Sequence, residues 1–162
     1  MTEAVNPYGA DLGDRDARRA LRETPDAIRA LCSPLGADDY ARATAPGKWS
    51  LSQILLHLAQ VEVMFQSRLY MALCPADYVA QPFDQDEFMA LAPAPDGPDA
   101  LAAYVSLRHL TLPLVDSLTP DQLARRFQHP DFGELSVTWL LAWGAGHERR
   151  HLAQVQQIAA AR

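Results

Sequence analysis

The chain has 162 residues, of which 49% are hydrophobic and 21% are charged, the balance of an ordinary soluble domain. A chain of this length buries enough surface on folding to need neither a disulfide nor a structural metal for its core. Fourteen Lys and Arg residues against 20 Asp and Glu give a formal charge of −6, which excludes the overall basic charge of a general nucleic-acid binder.

Targeting and membrane segments are not recognisable in the sequence. Residues 1–16 lack the apolar stretch of a signal peptide, and no run of about 18 apolar residues could span a membrane. Cys32 and Cys74 have no Cys-x-x-Cys pattern and are expected to be buried apolar residues rather than a redox pair. We therefore expect one cytoplasmic domain over residues 1–162, with neither a nucleic-acid nor a membrane partner.

Prolines and capping residues divide the first half of the chain into helices. A weak helix is predicted over 14–23, and Thr24-Pro25-Asp26 is typical of an N-cap followed by a first-turn proline, which predicts a second helix. Ser50-x-x-Gln53 is a capping box and predicts a long helix to about Leu73. Its apolar residues recur at helical spacing: Leu51, Ile54, Leu55, Leu58, Phe65 and Leu69.

The second half continues this pattern. A stretch rich in Pro and Asp over 76–98 contains a short predicted helix at 84–91, and a long helix with a kink at Pro113 is predicted over 99–118. Thr119-Pro120 predicts another short helix, 129–133 a loop, and Ser136 the cap of a last helix to about Ala161. Strand alternation is nearly absent, so the predicted fold class is an all-α helical bundle.

Two histidines of the last predicted helix, His147 and His151, are separated by one helical turn. Both imidazoles can therefore reach one ion, and their side of the helix also carries apolar residues such as Leu140 and Val155. Neutral imidazoles suit zinc, nickel or another borderline divalent cation. The alternative is a pair of helix-surface histidines without a metal.

Residues 147–151, with the sequence His-Glu-Arg-Arg-His, also spell HExxH, the motif of zinc metalloproteases. Such proteases take their third ligand downstream of the second histidine, whereas Leu152–Arg162 contains no His, Asp, Glu or Cys. We expect the third ligand upstream, at His57, a polar ring among leucines in the middle of its helix. A histidine satisfied within the core is the alternative there. His109 and His129 are expected to be exposed.

Four short motifs together resemble the DinB/YfiT-like superfamily. They are Gly47-Lys48-Trp49-Ser50, His57-Leu58-Ala59-x-x-Glu62, Phe132-Gly133 and His147-x-x-x-His151-x-x-Gln154, in the family's order between about Thr24 and Ile158. The resemblance implies an up-down-down-up four-helix bundle, often dimeric, with a divalent metal on His57, His147 and His151. Some members of this family are S-transferases that use bacillithiol or mycothiol, one branch isomerises maleylpyruvate, and many have no known substrate.

Several further residues are candidates for supporting roles. Glu148 could act as a general base, and the alternative is a solvated carboxylate near Arg149 and Arg150. Arg68 could bind a substrate carboxylate or thiolate, although an interhelical salt bridge is the alternative, and Gln154 could orient a ligand or the substrate. Glu62 is expected to pair with an arginine. The tryptophans are expected in the core and in pocket walls: Trp49, Trp139 and Trp143.

The sequence thus predicts a metal-dependent hydrolase or a thiol-dependent S-transferase that acts on a small molecule as a cytoplasmic homodimer. A low-molecular-weight thiol is a candidate cosubstrate beside the zinc or nickel ion. The alternative function is a non-catalytic, stress-related dimer in which the metal site is structural.

Overall fold

The computed structural model describes residues 3–74, 77–92 and 95–161. Its elements follow one another as α1 (Gly9–Leu12), α2 (Ala17–Cys32), α3 (Ala37–Tyr40), α4 (Leu51–Leu73), α5 (Gln85–Leu91), α6 (Gly97–Ser117), α7 (Pro120–Leu123), β1 (Arg126–His129), β2 (Gly133–Ser136) and α8 (Val137–Ala160). The four long helices α2, α4, α6 and α8 form a bundle, which confirms the predicted fold class. The short helices α1 and α3 were not predicted.

The predicted caps fix the ends of two of these helices. The Ser50 hydroxyl accepts a hydrogen bond from the backbone N–H of Gln53, whose side chain in turn accepts one from the Ser50 N–H, as a capping box requires. Ser136 accepts from the Trp139 N–H at 3.0 Å and begins α8. The short helices α5 and α7 also lie where the sequence predicts them, whereas the predicted kink at Pro113 stays a prediction.

The prediction that Pro25 opens a new helix is wrong. One continuous helix, α2, begins at Asp16, whose carboxylate accepts from the Arg19 N–H, and it passes through Pro25. Proline has no N–H to bond the carbonyl four residues earlier, here that of Leu21. The Arg108 guanidinium donates to this carbonyl at 3.1 Å, so a neighbouring helix satisfies the group that Pro25 leaves open.

Two apolar clusters show the directions of the four helices. The first cluster contains Leu21, Phe65, Val115 and Leu140, and the second contains Ile28, Leu55, Tyr104 and Val155. Residue numbers increase from the first cluster to the second in α2 and α8, and from the second to the first in α4 and α6. The bundle is therefore up-down-down-up, and the connection that contains α5 crosses its whole length because α4 and α6 are parallel.

A small β-hairpin precedes α8 where the sequence predicts only a loop. Strands β1 and β2 are antiparallel, with Phe127 opposite Leu135 in register, and Gly133 begins the return strand with φ at +73°. The backbone of 78–80 pairs with Gln128 along the other edge of β1. Strands of four residues are too short to give a recognisable alternation.

Two further expectations concern the cysteines and membranes. Cys32 is buried as predicted, but Cys74 is exposed because it lies at the end of α4, so that part of the prediction is wrong. In the described part of the chain, no helix combines the length and the apolar character needed to cross a membrane.

Candidate metal centre

The three predicted histidines meet where α4 and α8 pack against each other. Helix α4 supplies His57, and α8 supplies His147 and His151 from successive turns. The Nε2 atom of His147 lies 3.0 Å from that of His57 and 3.2 Å from that of His151. All three side chains are buried, with exposed fractions of 1%, 2% and 7% for His57, His147 and His151.

Burial keeps these imidazoles uncharged. Desolvation, helped by the nearby His151, lowers the pKa of His57 to about 3, and it lowers the pKa of His147 as well. Desolvation also lowers the pKa of His151 to about 4, although the hydrogen bond that His151 donates to Gln154 opposes this shift. At neutral pH each ring therefore has one nitrogen with a free lone pair.

Gln154 determines which nitrogen of His151 carries the proton. Its Oε1 atom, an acceptor, lies 2.7 Å from His151 Nδ1, so Nδ1 is the donor and Nε2 keeps its lone pair toward the other histidines. A carbonyl that orients a ligating histidine in this way is a common arrangement around protein-bound metals. Gln154 thus contacts a predicted ligand directly.

Aromatic rings enclose the histidines. Trp143 stacks on His147 with 5.3 Å between ring centroids, and Trp49 packs 4.9 Å from His57. Tyr8, from the N-terminal segment, packs edge-on to His147 and lies under the Arg150 guanidinium. The wall therefore includes two of the predicted tryptophans and a tyrosine that the sequence analysis missed.

The donor set fits a divalent cation. The ligand atoms of the three histidines lie within 4.8 Å of one another. Nitrogens bound at 2.0–2.1 Å to a tetrahedral ion would be roughly 3.3 Å apart, close to the Nε2 distances here. The buried Nδ1 atoms of His57 and His147 have no hydrogen-bond partner within the described residues, so the polar contacts of these two rings are those of their Nε2 atoms with one another and with His151.

Glu148, the candidate general base, lies in a different cluster. Its carboxylate accepts from the Arg108 guanidinium, which also donates to Glu62, and all three side chains are buried. The expected pairing of Glu62 with an arginine is therefore confirmed. The alternative of a solvated Glu148 is wrong, because only 3% of the residue is exposed. Arg108 itself was missed, since its partners come from three other helices.

A comparison with protein families identifies the chain. The sequence profile of the DinB superfamily matches residues 20–155, which include all three histidines. The chain belongs to the DinB superfamily. The resemblance that the short motifs indicate is thereby confirmed.

The relatives of this DinB-superfamily chain share most of its length. Two proteins of Oceanobacillus iheyensis, both named as candidate metal-dependent hydrolases, are 23% identical over 139 residues and 27% identical over 124 residues. These matches cover 85% and 75% of this chain, and 81% and 71% of the relatives. The structure of YfiT from Bacillus subtilis, described as a probable metal-dependent hydrolase with an unusual four-helix bundle topology, superposes with a TM-score of 0.81 at 21% identity. The superposition covers 89% of this chain and 84% of YfiT, and it shows that the two proteins share a fold.

Two cavities flank the histidines of the DinB-superfamily bundle. The larger, of about 340 Å³, is lined by His151 and Gln154 together with Lys48 and Arg150. The smaller, of about 120 Å³, is lined by Arg68 and by His129. His129 is buried, so the expectation that it is exposed is wrong, whereas His109 is exposed as expected.

Within the described ranges, Arg68 does not make the interhelical salt bridge that was its alternative role. It is buried and donates to the backbone carbonyl of Gln81, in the segment that follows α4. Its guanidinium therefore belongs to the wall of the smaller cavity rather than to the larger one that reaches His151.

Proposed function

We propose that this protein is a metal-dependent hydrolase of a small molecule, with one zinc or nickel ion held by His57, His147 and His151. The observation that carries the proposal is the meeting of three uncharged, buried imidazole Nε2 atoms from two helices. The names of the Oceanobacillus relatives support the reaction class.

Three protein ligands leave part of the coordination sphere to water or substrate, as in catalytic rather than structural sites. When bound, such an ion supplies Lewis-acid chemistry, in which it polarises a substrate oxygen and makes water nucleophilic near neutral pH. In the proposal, Gln154 holds His151 in its ligating tautomer, and Trp49 and Trp143 keep bulk water from the imidazoles. The cavity of about 340 Å³ beside His151 gives the substrate access.

Glu148 has no catalytic role in this proposal. Both of its carboxylate oxygens accept hydrogen bonds from Arg108, and Glu148 is not among the residues whose ligand atoms converge at the histidines. To act as a general base, Glu148 would first have to break its hydrogen bonds with the buried Arg108.

Metal binding is the first test. Purified wild-type protein is expected to bind close to one zinc ion per chain in a titration against a chromophoric chelator, and His147→Ala is expected to lose that binding. His109→Ala, which removes an exposed histidine of α6, is the matched control and should bind like wild type. A folded wild-type protein that takes up neither zinc nor nickel would refute the proposal.

Activity and folding separate the three candidate functions. Ester, amide and phosphoester hydrolysis that a chelator abolishes and zinc restores would support the hydrolase, whereas turnover only with an added low-molecular-weight thiol would support the S-transferase. Unfolding on chelation would support the structural site, because the binding energy would then be folding energy. We expect the metal-free protein to stay folded, since two apolar clusters form its core.

Gln154→Leu tests the support of the ligand His151. Loss of a group that orients a ligating histidine typically lowers metal affinity about 10- to 100-fold, and we expect that range for zinc here. An unchanged zinc affinity would show that Gln154 does not orient the ligand. The cytoplasmic location and the homodimer also stay predictions, the latter open to sedimentation equilibrium.

A further inference from the structure

Arg68 is a buried cation that has no carboxylate partner in the part of the chain that the structure describes. Only 7% of the residue is exposed, and none of the ion pairs formed within residues 3–74, 77–92 and 95–161 includes it. Arg108, the other buried arginine, is matched by two carboxylates. Because a buried charge is unfavourable unless it is paired, the missing partner of Arg68 is informative.

The smaller cavity offers a place for that partner. Its volume is about 120 Å³, and its walls are largely aromatic: Phe83, Phe127, Phe132, Trp139 and Trp143. A cavity of similar volume, roughly 150 Å³, is known to accept benzene when its lining is apolar. The cavity at Arg68 thus has room for one small ring or a short planar group, with a cation in its wall.

Two residues that line this cavity also pack against the histidines. Trp143 lines the cavity and stacks on His147, and Phe83 lines it and lies 6.2 Å from the ring of His57. A molecule bound here is therefore separated from the predicted metal ligands by a single aromatic ring.

The polar groups around the cavity favour an anionic occupant. The described hydrogen bonds use one of the five N–H groups of Arg68, the one directed at Gln81. The Nδ1 atom of His129 accepts from the backbone N–H of Asp131 at 3.2 Å, which leaves the ring proton on Nε2. The side chain of Asp131 lies at the rim and is 70% exposed, so solvent screens the carboxylate that lines this cavity.

We propose that this cavity binds the carboxylate-bearing end of a small aromatic or planar apolar acid, and that Arg68 is the residue that selects for the carboxylate. The inference rests on the proposed function in that the acid would be the substrate, with its carboxylate end one aromatic ring away from the histidines. A guanidinium fork matches a carboxylate, and the aromatic walls match a flat apolar body rather than a fully hydrated phosphate.

Probe binding to the full-length protein tests the inference without knowledge of the substrate. Benzoate, its neutral analogue benzamide and inorganic phosphate are titrated into metal-free and zinc-loaded protein, with calorimetry and with the fluorescence of Trp139 and Trp143 as readouts. Benzoate is expected to bind metal-free protein about 10- to 100-fold more tightly than benzamide, the range of a hydrogen bond to a charged group. Equal binding of the two, or tighter binding of phosphate, would overturn the inference.

Variants assign the selectivity to Arg68. Arg68→Met is expected to lose the preference for benzoate and keep zinc binding, whereas Arg68→Lys keeps part of the preference. Arg29→Met, which removes the same charge from an exposed site on α2, is the control and should bind like wild type. If Arg68→Met does not fold, Met64→Trp narrows the cavity instead and should weaken benzoate binding at least tenfold. Undiminished benzoate binding in either folded variant would refute the assignment.

The two proposals fail in different ways. Zinc binding without benzoate binding would refute this inference alone. Benzoate binding by a protein that refuses zinc and nickel would refute the proposed function and leave the carboxylate site standing.

Discussion

Arg108→Met removes the cation from the buried cluster that joins four helices. In the wild-type protein Arg108 donates to Glu62 on α4, to Glu148 on α8 and to the Leu21 carbonyl that Pro25 leaves open on α2. Burial lowers the pKa of Arg108, but the two carboxylates outweigh that effect and raise it. Methionine has a similar volume and no charge, so the variant leaves two buried carboxylates without their cation and the Leu21 carbonyl without its donor, although Glu62 keeps the hydrogen bond from the Thr111 hydroxyl.

The expected loss of stability is large. Removal of one partner of a buried ion pair costs about 3–5 kcal/mol, and an unbonded buried carbonyl about 1–3 kcal/mol more. The sum, about 4–8 kcal/mol, is comparable to the whole free energy of unfolding of many domains, about 5–15 kcal/mol. For a chain of this size, each kcal/mol lost lowers the Tm by about 2–4 °C. The smallest expected loss, about 4 kcal/mol, should therefore lower the Tm by at least about 8 °C.

The loss should also depend on pH. Burial already raises the pKa of Glu148 to about 8 against the opposing pull of Arg108. Without Arg108, a buried carboxylate can avoid its unpaired charge by taking up a proton. Loss of Arg108 should raise the pKa of Glu148 further, so above about pH 8 the folded variant keeps a proton that folded wild type has released. The deficit of the variant relative to wild type should therefore shrink as the pH falls from about 9.5 to about 8 and stay constant below that.

Urea denaturation at about pH 9.5 and about pH 8, followed by far-UV circular dichroism, measures both effects. The control is the triple variant Glu62→Leu, Arg108→Met, Glu148→Leu, which should be more stable than Arg108→Met because apolar side chains often replace a buried ion cluster at little cost. A loss below about 1 kcal/mol at about pH 8, or a loss that is larger at about pH 8 than at about pH 9.5, would refute the reasoning.

Two further predictions concern the histidine site and its N-terminal cover. Because the folded state lowers the pKa of His57 from 6.5 to about 3, the unfolded state binds more protons between these values and metal-free wild type loses stability as the pH falls. The free energy of unfolding of metal-free His57→Phe should therefore rise relative to that of wild type by up to about 1.4 kcal/mol for each pH unit below pH 6.5. Urea denaturation at several pH values measures this, and a stability difference that does not change with pH would contradict it. A Cβ atom at Gly146 would lie 2.3 Å from the Tyr8 carbonyl oxygen, so Gly146→Ala should lose about 1–3 kcal/mol. Gly9→Ala, where the nearest atom is 4.0 Å away, should change little, and equal stability of both variants would argue against a tightly packed N-terminal segment.

The long helices α4, α6 and α8 and the pair His147 and His151 could be predicted because their signals are local. A capping box at Ser50 needs only residues three positions apart, and the i, i+4 spacing of His147 and His151 fixes their common side on any helix. His57 was harder to place, since the sequence shows only a polar ring among leucines. The bundle topology came from the family resemblance rather than from periodicity.

The features that sequence reasoning missed depend on contacts between distant segments. Pro25 fits a helix start by local rules, and only the Arg108 guanidinium from α6 explains how α2 continues through it. Glu148 looks exposed beside Arg149 and Arg150, yet its own partner is 40 residues earlier in the chain. His129 is buried because the hairpin folds it into the cavity beside Arg68.

The ion cluster and the histidines occupy the same two helices, and this restricts how those helices can move. Helix α4 carries both His57 and Glu62, and α8 carries His147 directly beside Glu148. An axial slip of α8 by one turn, about 5.4 Å, would break the carboxylate contacts with Arg108 and separate the imidazoles at once. The helix register that aligns the nitrogens is therefore enforced by an independent set of charges, so the arrangement of the three imidazoles does not depend on a bound ion.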